Sequence, residues 1–423
     1  MTSKRILITG LSTYWGGRLA QALERDPAVE AVIGVDRRPP KIALERTEFV
    51  RVEDHHSLIR RIVQAAEIDT LVDTRLVADS IVTSPRLAHE NNVMGTMNVL
   101  AACSGPDSLV KKVVFKSSAR YYGCEQDDPG FFTEEMRRPR PPRTLIERDV
   151  VEAESAVRDF AEGNPDTVVT TLRFANGLGP AVRTSYTRYL GLPVIPTVLG
   201  FDPRHQFLHE DDIAGVLEHA VRHDLDGIYN AAADGVLVLS EVVDLLGKLA
   251  APVLPPFATG LALPLLKRAR LPISADMLQH LRFGRGLDNR KLKATGYRYR
   301  YTTRETVIKL REHQRLSPLT RGMRESYRYE EEVEEFLRRS PSVRRGARPE
   351  PRANLAAGEA QAVPSPSAPA GYADLDAGEV IALLASLEPE ALTALREHEA
   401  GHAARKAVLA AMDALLARPR SAV

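Results

Sequence analysis

The sequence of 423 residues predicts an α/β protein built on a doubly wound parallel sheet, followed by a linker and a helical tail. Three observations carry this prediction. A strand, a glycine turn and a helix open the chain, a second strand ends in a carboxylate, and strand-like and helical patterns then alternate. Such alternation is typical of parallel β/α units with helices on both faces of the sheet.

The opening segment predicts a dinucleotide site. Residues 6–8 are apolar and uncharged, as in a buried parallel strand, and residues 18–23 have helical spacing. Glycines between such elements let the backbone approach a pyrophosphate, and the helix N-terminus supplies N–H donors and a positive dipole end. A plain turn at the first glycine is the alternative interpretation. The predicted site residues are Gly10, Thr13, Tyr14, Trp15 and Gly16.

The second strand, residues 31–36, ends in Asp36. This carboxylate follows the glycines by about 20 residues, where an acid hydrogen-bonds the adenosine ribose of a bound dinucleotide. A carboxylate there repels a 2′-phosphate and therefore favours NAD, whereas the adjacent Arg37 leaves NADP as an alternative. Glu53, after the third strand, completes the predicted cofactor contacts. A plain strand-end carboxylate is the alternative for Asp36.

The rest of the first 180 residues continues the alternation. The predicted strands after Asp36 are residues 48–52, 70–72, 112–116 and 167–173, and the predicted helices are residues 55–66, 91–103 and 149–162.

Composition excludes several classes of protein. Apolar content of 44% and charged content of 27% are typical of a folded domain, and a net charge of +1 gives no support for a nucleic-acid partner. Two cysteines cannot form a disulfide framework, and no secretory signal opens the sequence, so we expect a cytoplasmic protein. His55 and His56 have no partners at metal-ligand spacing, so no metal is predicted. Residues 249–266 are uncharged but contain four prolines, which favours the wall of a substrate pocket over a membrane element.

Several blocks, in their order and spacing, resemble the extended short-chain dehydrogenases/reductases of the NAD-dependent epimerase/dehydratase type. The resemblance covers about residues 4–310 and implies a Rossmann-type NAD-binding domain with a substrate lobe. The blocks are residues 92–100 (Asn-Val-Met-Gly-Thr-Met-Asn-Val-Leu), 117–123 (Ser-Ser-Ala-Arg-Tyr-Tyr-Gly), 172–180 (Leu-Arg-Phe-Ala-Asn-Gly-Leu-Gly-Pro), 206–214, 227–231, 288–292 and 296–297. The predicted domain is residues 1–314, with the lobe at about 175–205 and 235–300.

The resemblance implies hydride transfer at a nicotinamide, with proton transfer by a tyrosine that a lysine four residues later assists. Ser118 matches the family's serine, although a strand-end cap is the alternative. The tyrosine and lysine positions hold Thr144 and Arg148 when the sequences are aligned on Glu152. A threonine hydroxyl is a far weaker acid than a phenol of pKa about 10. Arg148 stays charged and is assigned to ribose hydroxyls or a phosphate.

Four further positions depart from the family pattern or compete for its roles. Thr13 replaces the middle glycine of the turn, so a side chain lies near the pyrophosphate. Asp73 and Arg75 stand where small apolar residues would let the cofactor lie flat, and we expect them to pair. Tyr122 is a candidate acid in place of the missing tyrosine, although core packing is the favoured interpretation.

The C-terminal part changes character. Residues 315–370 are charged and then rich in Pro, Ala and Ser, which predicts a disordered linker. Residues 371–423 predict a helical hairpin, with helices at 376–387 and 389–416 that pair with each other or with an unidentified protein partner.

Three functions remain open at this point. The first is an NAD(P)-dependent oxidoreductase or epimerase, a monomer or a homodimer, that acts on a hydroxyl or carbonyl compound such as a nucleotide sugar with a non-standard proton relay. The second is a catalytically inactive dinucleotide sensor or scaffold whose tail binds a partner. The third, which the prolines disfavour, is a sterol-type dehydrogenase anchored to a membrane by residues 249–270.

Overall fold

The computed structural model describes residues 3–52, 56–79, 83–105, 108–254 and 273–316, and, near the C-terminus, residues 393, 395–396, 399–400 and 405–416. The chain divides into two compact units, Met1–Glu334 and Glu335–Val423. The domain boundary after residue 314 therefore stays a prediction.

Seven parallel strands form the central sheet, in the order Gly227–Ala231, Val168–Phe174, Lys112–Ser118, Thr70–Asp73, Arg5–Thr9, Ala31–Asp36 and Thr47–Arg51. This sheet confirms the predicted fold class, since the chain starts in the middle and winds outward in both directions. The strands of the first unit are β1 (Arg5–Thr9), β2 (Ala31–Asp36), β3 (Thr47–Arg51), β4 (Thr70–Asp73), β5 (Lys112–Ser118), β6 (Val168–Phe174), β7 (Asn176–Leu178), β8 (Val194–Val198), β9 (Arg204–His205), β10 (Phe207–His209), β11 (Gly227–Ala231), β12 (Leu237–Val238) and β13 (Leu249–Leu254).

Helices cover both faces of the sheet. They are α1 (Tyr14–Leu23), α2 (His56–Ala65), α3 (Pro85–His89), α4 (Gly95–Ala102), α5 (Leu145–Gly163), α6 (Ser185–Tyr189), α7 (Glu210–Arg222), α8 (Leu239–Leu246), α9 (Ala275–Phe283), α10 (Arg290–Ala294) and α11 (Thr303–Leu316). No helix among the described residues is long and apolar enough to cross a bilayer.

The alternation of side chains along the buried strands builds two hydrophobic cores. Ile6 and Ile8 of β1 pack on one face of the sheet with residues of α1 and α7, such as Val216. Leu7 lies on the opposite face with residues of α2, α4 and α5, such as Val150. Because neighbouring residues of a strand point to opposite faces, an uninterrupted apolar strand serves both cores at once.

The helix predicted at residues 91–103 begins earlier than expected. Ser84 caps α3 by accepting a hydrogen bond from the Leu87 N–H, and Pro85 occupies the first turn. A π-helical turn, Glu90–Met94, then joins α3 to α4. The extra residue of the π-helical turn shifts the apolar periodicity. The spacing of apolar residues therefore predicted only the second half of the helical segment that begins at Pro85.

The smaller lobe has a core of its own, formed by lobe strands and by helices α6, α8, α9 and α11. Its buried residues include Tyr189, Ile195, Phe207, Val243 and Met277. In this lobe β13 pairs in parallel with β8. The prediction that residues 249–266 wall a substrate pocket falls mostly outside the described residues, which end at residue 254 and resume at residue 273.

In the second unit the helix predicted at 389–416 is interrupted. Arg405 is not helical, and a further helix, α12 (Lys406–Leu416), follows it. The guanidinium of Arg405 donates to the buried Glu399 carboxylate at 2.8 Å. A second ion pair, Arg396 to Asp413 at 2.5 Å, connects α12 to the helical residues before the break. The linker and the helix predicted at 376–387 lie outside the described residues and stay predictions.

A buried ion pair joins α5 to the sheet. Arg173 of β6 donates to Glu154 of α5, with 2.6 Å between Nη2 and Oε2, and both side chains are less than 10% exposed. Ser117 of β5 donates to the same carboxylate at 2.5 Å. The Arg173 guanidinium also lies 3.5 Å from the centre of the Tyr121 ring. These contacts fix the middle of α5 against the carboxyl ends of β5 and β6.

We expect Glu154→Gln to lower the free energy of unfolding by about 3–5 kcal/mol, because it leaves the Arg173 charge buried and uncompensated. Urea unfolding at neutral pH measures the change. Glu218→Gln is the matched control, since Glu218 pairs with Arg222 at the surface, and its effect should stay within about 0.5 kcal/mol. Equal small losses in both variants would contradict the assignment.

Candidate dinucleotide site

The turn between β1 and α1 leaves no room for side chains at its glycines. Gly10 has a φ of +82°, and a Cβ there would lie 2.7 Å from Cγ of Arg75. A Cβ at Gly16 would lie 2.3 Å from the Gly10 carbonyl oxygen. Both positions therefore require glycine, the first for its backbone conformation and both for close approach. The predicted glycine turn lies at the carboxyl edge of the sheet, where doubly wound proteins bind dinucleotides.

Thr13, which replaces a family glycine, caps α1. Its hydroxyl accepts a hydrogen bond from the Gly16 N–H at 3.0 Å and donates to the Gly10 carbonyl at 2.7 Å. A cap of this kind stabilises a helix start by about 1 kcal/mol. Tyr14 and Trp15 form the first turn of α1 and are half-buried. The Thr13 side chain, which the sequence predicts to lie near a pyrophosphate, is thus hydrogen-bonded to the backbone of the turn.

Asp36 lies beside the same turn, as the sequence predicts. One carboxylate oxygen accepts a hydrogen bond from the Ser12 N–H at 2.9 Å. The residue is half-buried, whereas Arg37 and Arg38 after it are exposed. A carboxylate so placed fits the hydroxyls of an adenosine ribose. Glu53 lies outside the described residues, so its contact stays a prediction.

Asp73 and Arg75 pair, as predicted, next to the glycine turn. Their ion pair measures 2.8 Å, and the Thr9 hydroxyl donates to Asp73 at 2.8 Å. Burial acts to raise the pKa of Asp73, but the attraction of Arg75 and the hydrogen bonds from Arg75 and Thr9 outweigh it, so that pKa lies below its usual value. The pair adds a fixed, buried guanidinium to the edge where a pyrophosphate would lie.

Ser118 ends β5 and begins a short 3₁₀ turn, Ala119–Tyr122. Its hydroxyl accepts a hydrogen bond from the Arg120 N–H at 3.3 Å. The strand-end cap is therefore formed, and the catalytic role of Ser118 stays a prediction. The side chain still lies at the carboxyl edge of the sheet, two strands from β1.

Thr144 caps α5 and Arg148 lies in its first turn, while the catalytic roles of both and the cofactor-binding role of Arg148 stay predictions. The Thr144 hydroxyl caps the helix by accepting from the Glu147 N–H at 3.3 Å. The Arg148 side chain is 52% exposed, 3.9 Å from Glu152. Arg138 donates both to Glu147, at 2.6 Å, and to the Arg120 carbonyl, at 3.1 Å. This chain of contacts links the start of α5 to the turn after Ser118. It contains no phenol or amine that could transfer a proton.

Tyr122 is a packing residue by its contacts. Its ring stacks on Phe132 with 4.6 Å between centroids. Its hydroxyl lies 2.8 Å from Oδ1 of Asn230 and 3.1 Å from the Thr133 carbonyl. Burial raises the pKa of Tyr122 to about 12. A phenol with that pKa is a poor proton donor at neutral pH, so these observations favour the packing interpretation.

Lys116 is the polar residue that sequence reasoning missed. It is buried in β5, with Nζ 5.6 Å from the centre of the Trp15 ring and 5.7 Å from that of Phe174. Burial lowers the pKa of its ammonium to about 8, against the opposing effect of Asp73. Side chains alternate along a strand, so Lys116 and Ser118 share a face. A lysine directly after the apolar run Val113–Phe115 of a predicted buried strand was the signal that could have found it.

A small pocket lies between this edge and the lobe. It has a volume of about 10 Å³, room for about one water molecule. Arg285 closes one side by donating to the Gly123 carbonyl at 2.8 Å, and the Tyr186 hydroxyl bonds to His280 on another. Its lining residues are Arg120, Cys124, Glu147, Asn176, Tyr186, Met277, His280 and Arg285.

Two buried acids in this region differ in what they can do. Burial raises the pKa of the Cys124 thiol to about 12, so it stays protonated and unreactive at neutral pH. Glu210, at the start of α7, accepts hydrogen bonds from the N–H groups of Ala181 and Val182 at 3.1 and 3.0 Å. Burial nevertheless raises the pKa of Glu210 to about 7, so this carboxyl changes charge near neutral pH.

The sheet, the glycine turn and Asp36 together define a dinucleotide-binding protein of the extended short-chain dehydrogenase type. The chain belongs to the NAD dependent epimerase/dehydratase family, whose model matches residues 6–232. This membership confirms the resemblance and the prediction of NAD as the cofactor.

An uncharacterized protein of Mycobacterium tuberculosis is 36% identical over 310 residues, covering 71% of this chain and 82% of that protein. UDP-glucose 4-epimerase 2 of Oryza sativa is 35% identical over 98 residues, 23% of this chain and 22% of that protein.

Solved structures share the fold at low sequence identity. MoeE5 in complex with UDP-glucose and NAD is 20% identical, with a TM-score of 0.56 over 74% of this chain and 99% of that one. UDP-glucose 4-epimerase from Thermotoga maritima, with UDP-glucose, is 17% identical, with a TM-score of 0.56 over 74% and 99%. UDP-glucuronic acid 4-epimerase from Bacillus cereus, in complex with NAD, is 17% identical, with a TM-score of 0.56 over 74% of this chain and 96% of that one.

Asp36→Asn should weaken the preference for NAD over NADP. The change keeps an acceptor for the Ser12 N–H but removes the charge that repels a 2′-phosphate, so we expect the ratio of NAD to NADP affinity to fall at least about tenfold, or 1.4 kcal/mol. The single tryptophan, Trp15, lies in the turn and reports binding by fluorescence. Asp159→Asn, at an exposed position of α5, is the charge-matched control. An unchanged ratio in Asp36→Asn would contradict the ribose assignment.

Glu210 should make the protein less stable as the pH rises. With a pKa of about 7 when folded against about 4.3 when unfolded, the folded state binds more protons between these values. The free energy of unfolding therefore falls across this window, by on the order of 2–3 kcal/mol. Glu210→Gln should lose this fall in urea unfolding measured from pH 4.5 to 8, whereas Glu218→Gln on the same helix should keep it. Parallel profiles for wild type and Glu210→Gln would refute the prediction.

Proposed function

We propose that this protein is an NAD-dependent oxidoreductase or epimerase that acts on a hydroxyl or carbonyl group of a small molecule such as a nucleotide sugar. The observation that carries the proposal is the glycine turn itself, where Gly10 and Gly16 let the start of α1 approach the end of β1 more closely than any side chain would allow. In this proposal the turn holds the pyrophosphate and Asp36 holds the adenosine ribose. When bound, NAD supplies the acceptor and donor of hydride.

The substrate class is proposed from the pocket between the sheet edge and the lobe. Two guanidinium groups, those of Arg120 and Arg285, line it. Planar guanidinium groups can donate two parallel hydrogen bonds to the oxygens of a phosphate group. A substrate that carries a phosphate therefore fits this end of the sheet. Complexes of fold neighbours with UDP-glucose and UDP-glucuronic acid support a nucleotide sugar. Because the pocket now holds about one water, we expect the lobe to move outward when substrate enters.

The proton relay is assigned to Lys116 with Ser118. A pKa of about 8 lets the Lys116 amine gain or lose a proton near neutral pH, which neither Thr144 nor Arg148 can do. In the proposal Ser118 donates a hydrogen bond to the substrate oxygen. Lys116 exchanges the proton through that hydroxyl, because both side chains face the same side of β5.

The test is turnover of a panel of UDP- and dTDP-sugars, followed by the absorbance of reduced nicotinamide and by NMR of the products. We expect Lys116→Met to lower kcat by about 10²–10⁴-fold and to remove a step near pH 8 from the rate profile, with NAD affinity kept. Lys111→Met, exposed just before β5, is the control and should match wild type. A Lys116→Met enzyme with normal kcat would overturn the relay.

A second candidate function is a dinucleotide sensor or scaffold without catalysis. The observation that favours it is the structural use of Thr144 as a helix cap and the exposure of Arg148. This candidate predicts NAD binding without turnover of any panel member. It also predicts that binding changes the mass of the full chain in light scattering, an effect lost when residues 371–423 are removed. Turnover of a nucleotide sugar would exclude it.

A further inference from the structure

Three side chains form a cluster on the flank of the sheet, apart from the glycine turn. His89 lies at the end of α3, and Asp149 and Glu152 lie in the first two turns of α5. One ligand atom from each, an imidazole nitrogen and two carboxylate oxygens, lies within 4.8 Å of the other two. Nδ1 of His89 is 2.9 Å from Oδ1 of Asp149. The cluster is thus small enough to surround a single ion.

One carboxylate oxygen at the buried end of this cluster lacks a partner among the described residues. The Asp149 side chain is 1% exposed. Its second oxygen, Oδ2, has no hydrogen-bond partner among the described residues. A buried carboxylate oxygen left unsatisfied costs free energy, so such an atom calls for a ligand. Because Oδ1 is already bonded to His89, the unpartnered oxygen belongs to the same cluster.

The other end of the cluster opens to solvent. The side chains of His89 and Glu152 are 44% and 42% exposed. Arg148 approaches Glu152 only to 3.9 Å, and both are half-exposed. A surface pair of this length is screened by water and is weak. Glu152 can therefore turn toward an ion that enters from solvent.

We propose that His89, Asp149 and Glu152 bind a divalent transition-metal ion, with Zn²⁺ the best match. One imidazole and two carboxylates are ligands that Zn²⁺ accepts, and three protein ligands leave a fourth position for water. Two carboxylates also balance the charge of a divalent ion. Mg²⁺ prefers oxygen ligands alone and is expected to bind far more weakly. The ion would join α3 to the start of α5, so that binding stabilises the fold.

No sequence pattern indicated this cluster. His89 and Asp149 are 60 residues apart. The spacing rules that excluded a metal at His55 and His56 compare residues that are close along the chain. His89 also precedes the predicted start of its helix, because the π turn masked that start. The sequence prediction of no metal therefore did not weigh these three residues.

Calorimetry on the full-length protein, freed of metal with a chelator and titrated with Zn²⁺ alone, tests the proposal. We expect one ion per chain and a rise in melting temperature. Glu152→Gln and His89→Ala should each weaken binding at least about tenfold. Co²⁺ in place of Zn²⁺ should give visible absorption bands that both variants lose. Glu152→Gln changes a half-exposed side chain, so it keeps the test valid if His89→Ala does not fold.

His223→Ala is the matched control. The imidazoles of His219 and His223 lie 4.1 Å apart, one turn apart at the end of α7, and make the obvious competing surface site. Binding that survives His223→Ala and is lost in Glu152→Gln supports the proposal. Binding lost in His223→Ala and kept in Glu152→Gln, or the absence of Zn²⁺ binding to wild type, overturns it.

Discussion

The close approach of backbone to backbone at the first turn is the constraint on which the rest of this structure depends. The N-terminus of α1 can lie at the carboxyl edge of the sheet only because Gly16 faces the Gly10 carbonyl without a Cβ between them. This approach places the Thr13 cap, which holds the turn, and it leaves Asp36 within reach of the Ser12 N–H. The cofactor cradle is therefore a direct product of chain geometry.

Buried charged side chains distinguish the carboxyl edge of this sheet from an uncharged cofactor cleft. Asp73, Arg75 and Lys116 lie close together beneath the turn, and the Asp73 charge acts on the Lys116 amine. Burial of charges requires such mutual compensation. On the far side of the sheet the Glu154–Arg173 pair fixes α5. The sequence resemblance implies a tyrosine and a lysine at positions where this chain has other residues, and this arrangement of charge is the basis for proposing a different relay.

Sequence patterns predicted the features that depend on near neighbours. The periodicity of strands and helices predicted the sheet, and the glycine spacing predicted the turn. The separation of two residues predicted the Asp73–Arg75 pair. Features that join distant segments could not be predicted in this way. Lys116 meets Trp15 across 101 positions of the chain, and His89 meets Asp149 across 60. Such contacts depend on tertiary packing, which a single sequence does not reveal.

The most direct measurement of the central claim is calorimetric titration of the full-length protein with NAD, for wild type and for Gly16→Ala, with circular dichroism to show that both are folded. The account predicts one NAD bound per wild-type chain and a loss of binding in the folded variant, because a Cβ would lie 2.3 Å from the Gly10 carbonyl. Equal affinity in the two proteins, or no binding to wild type, would contradict it.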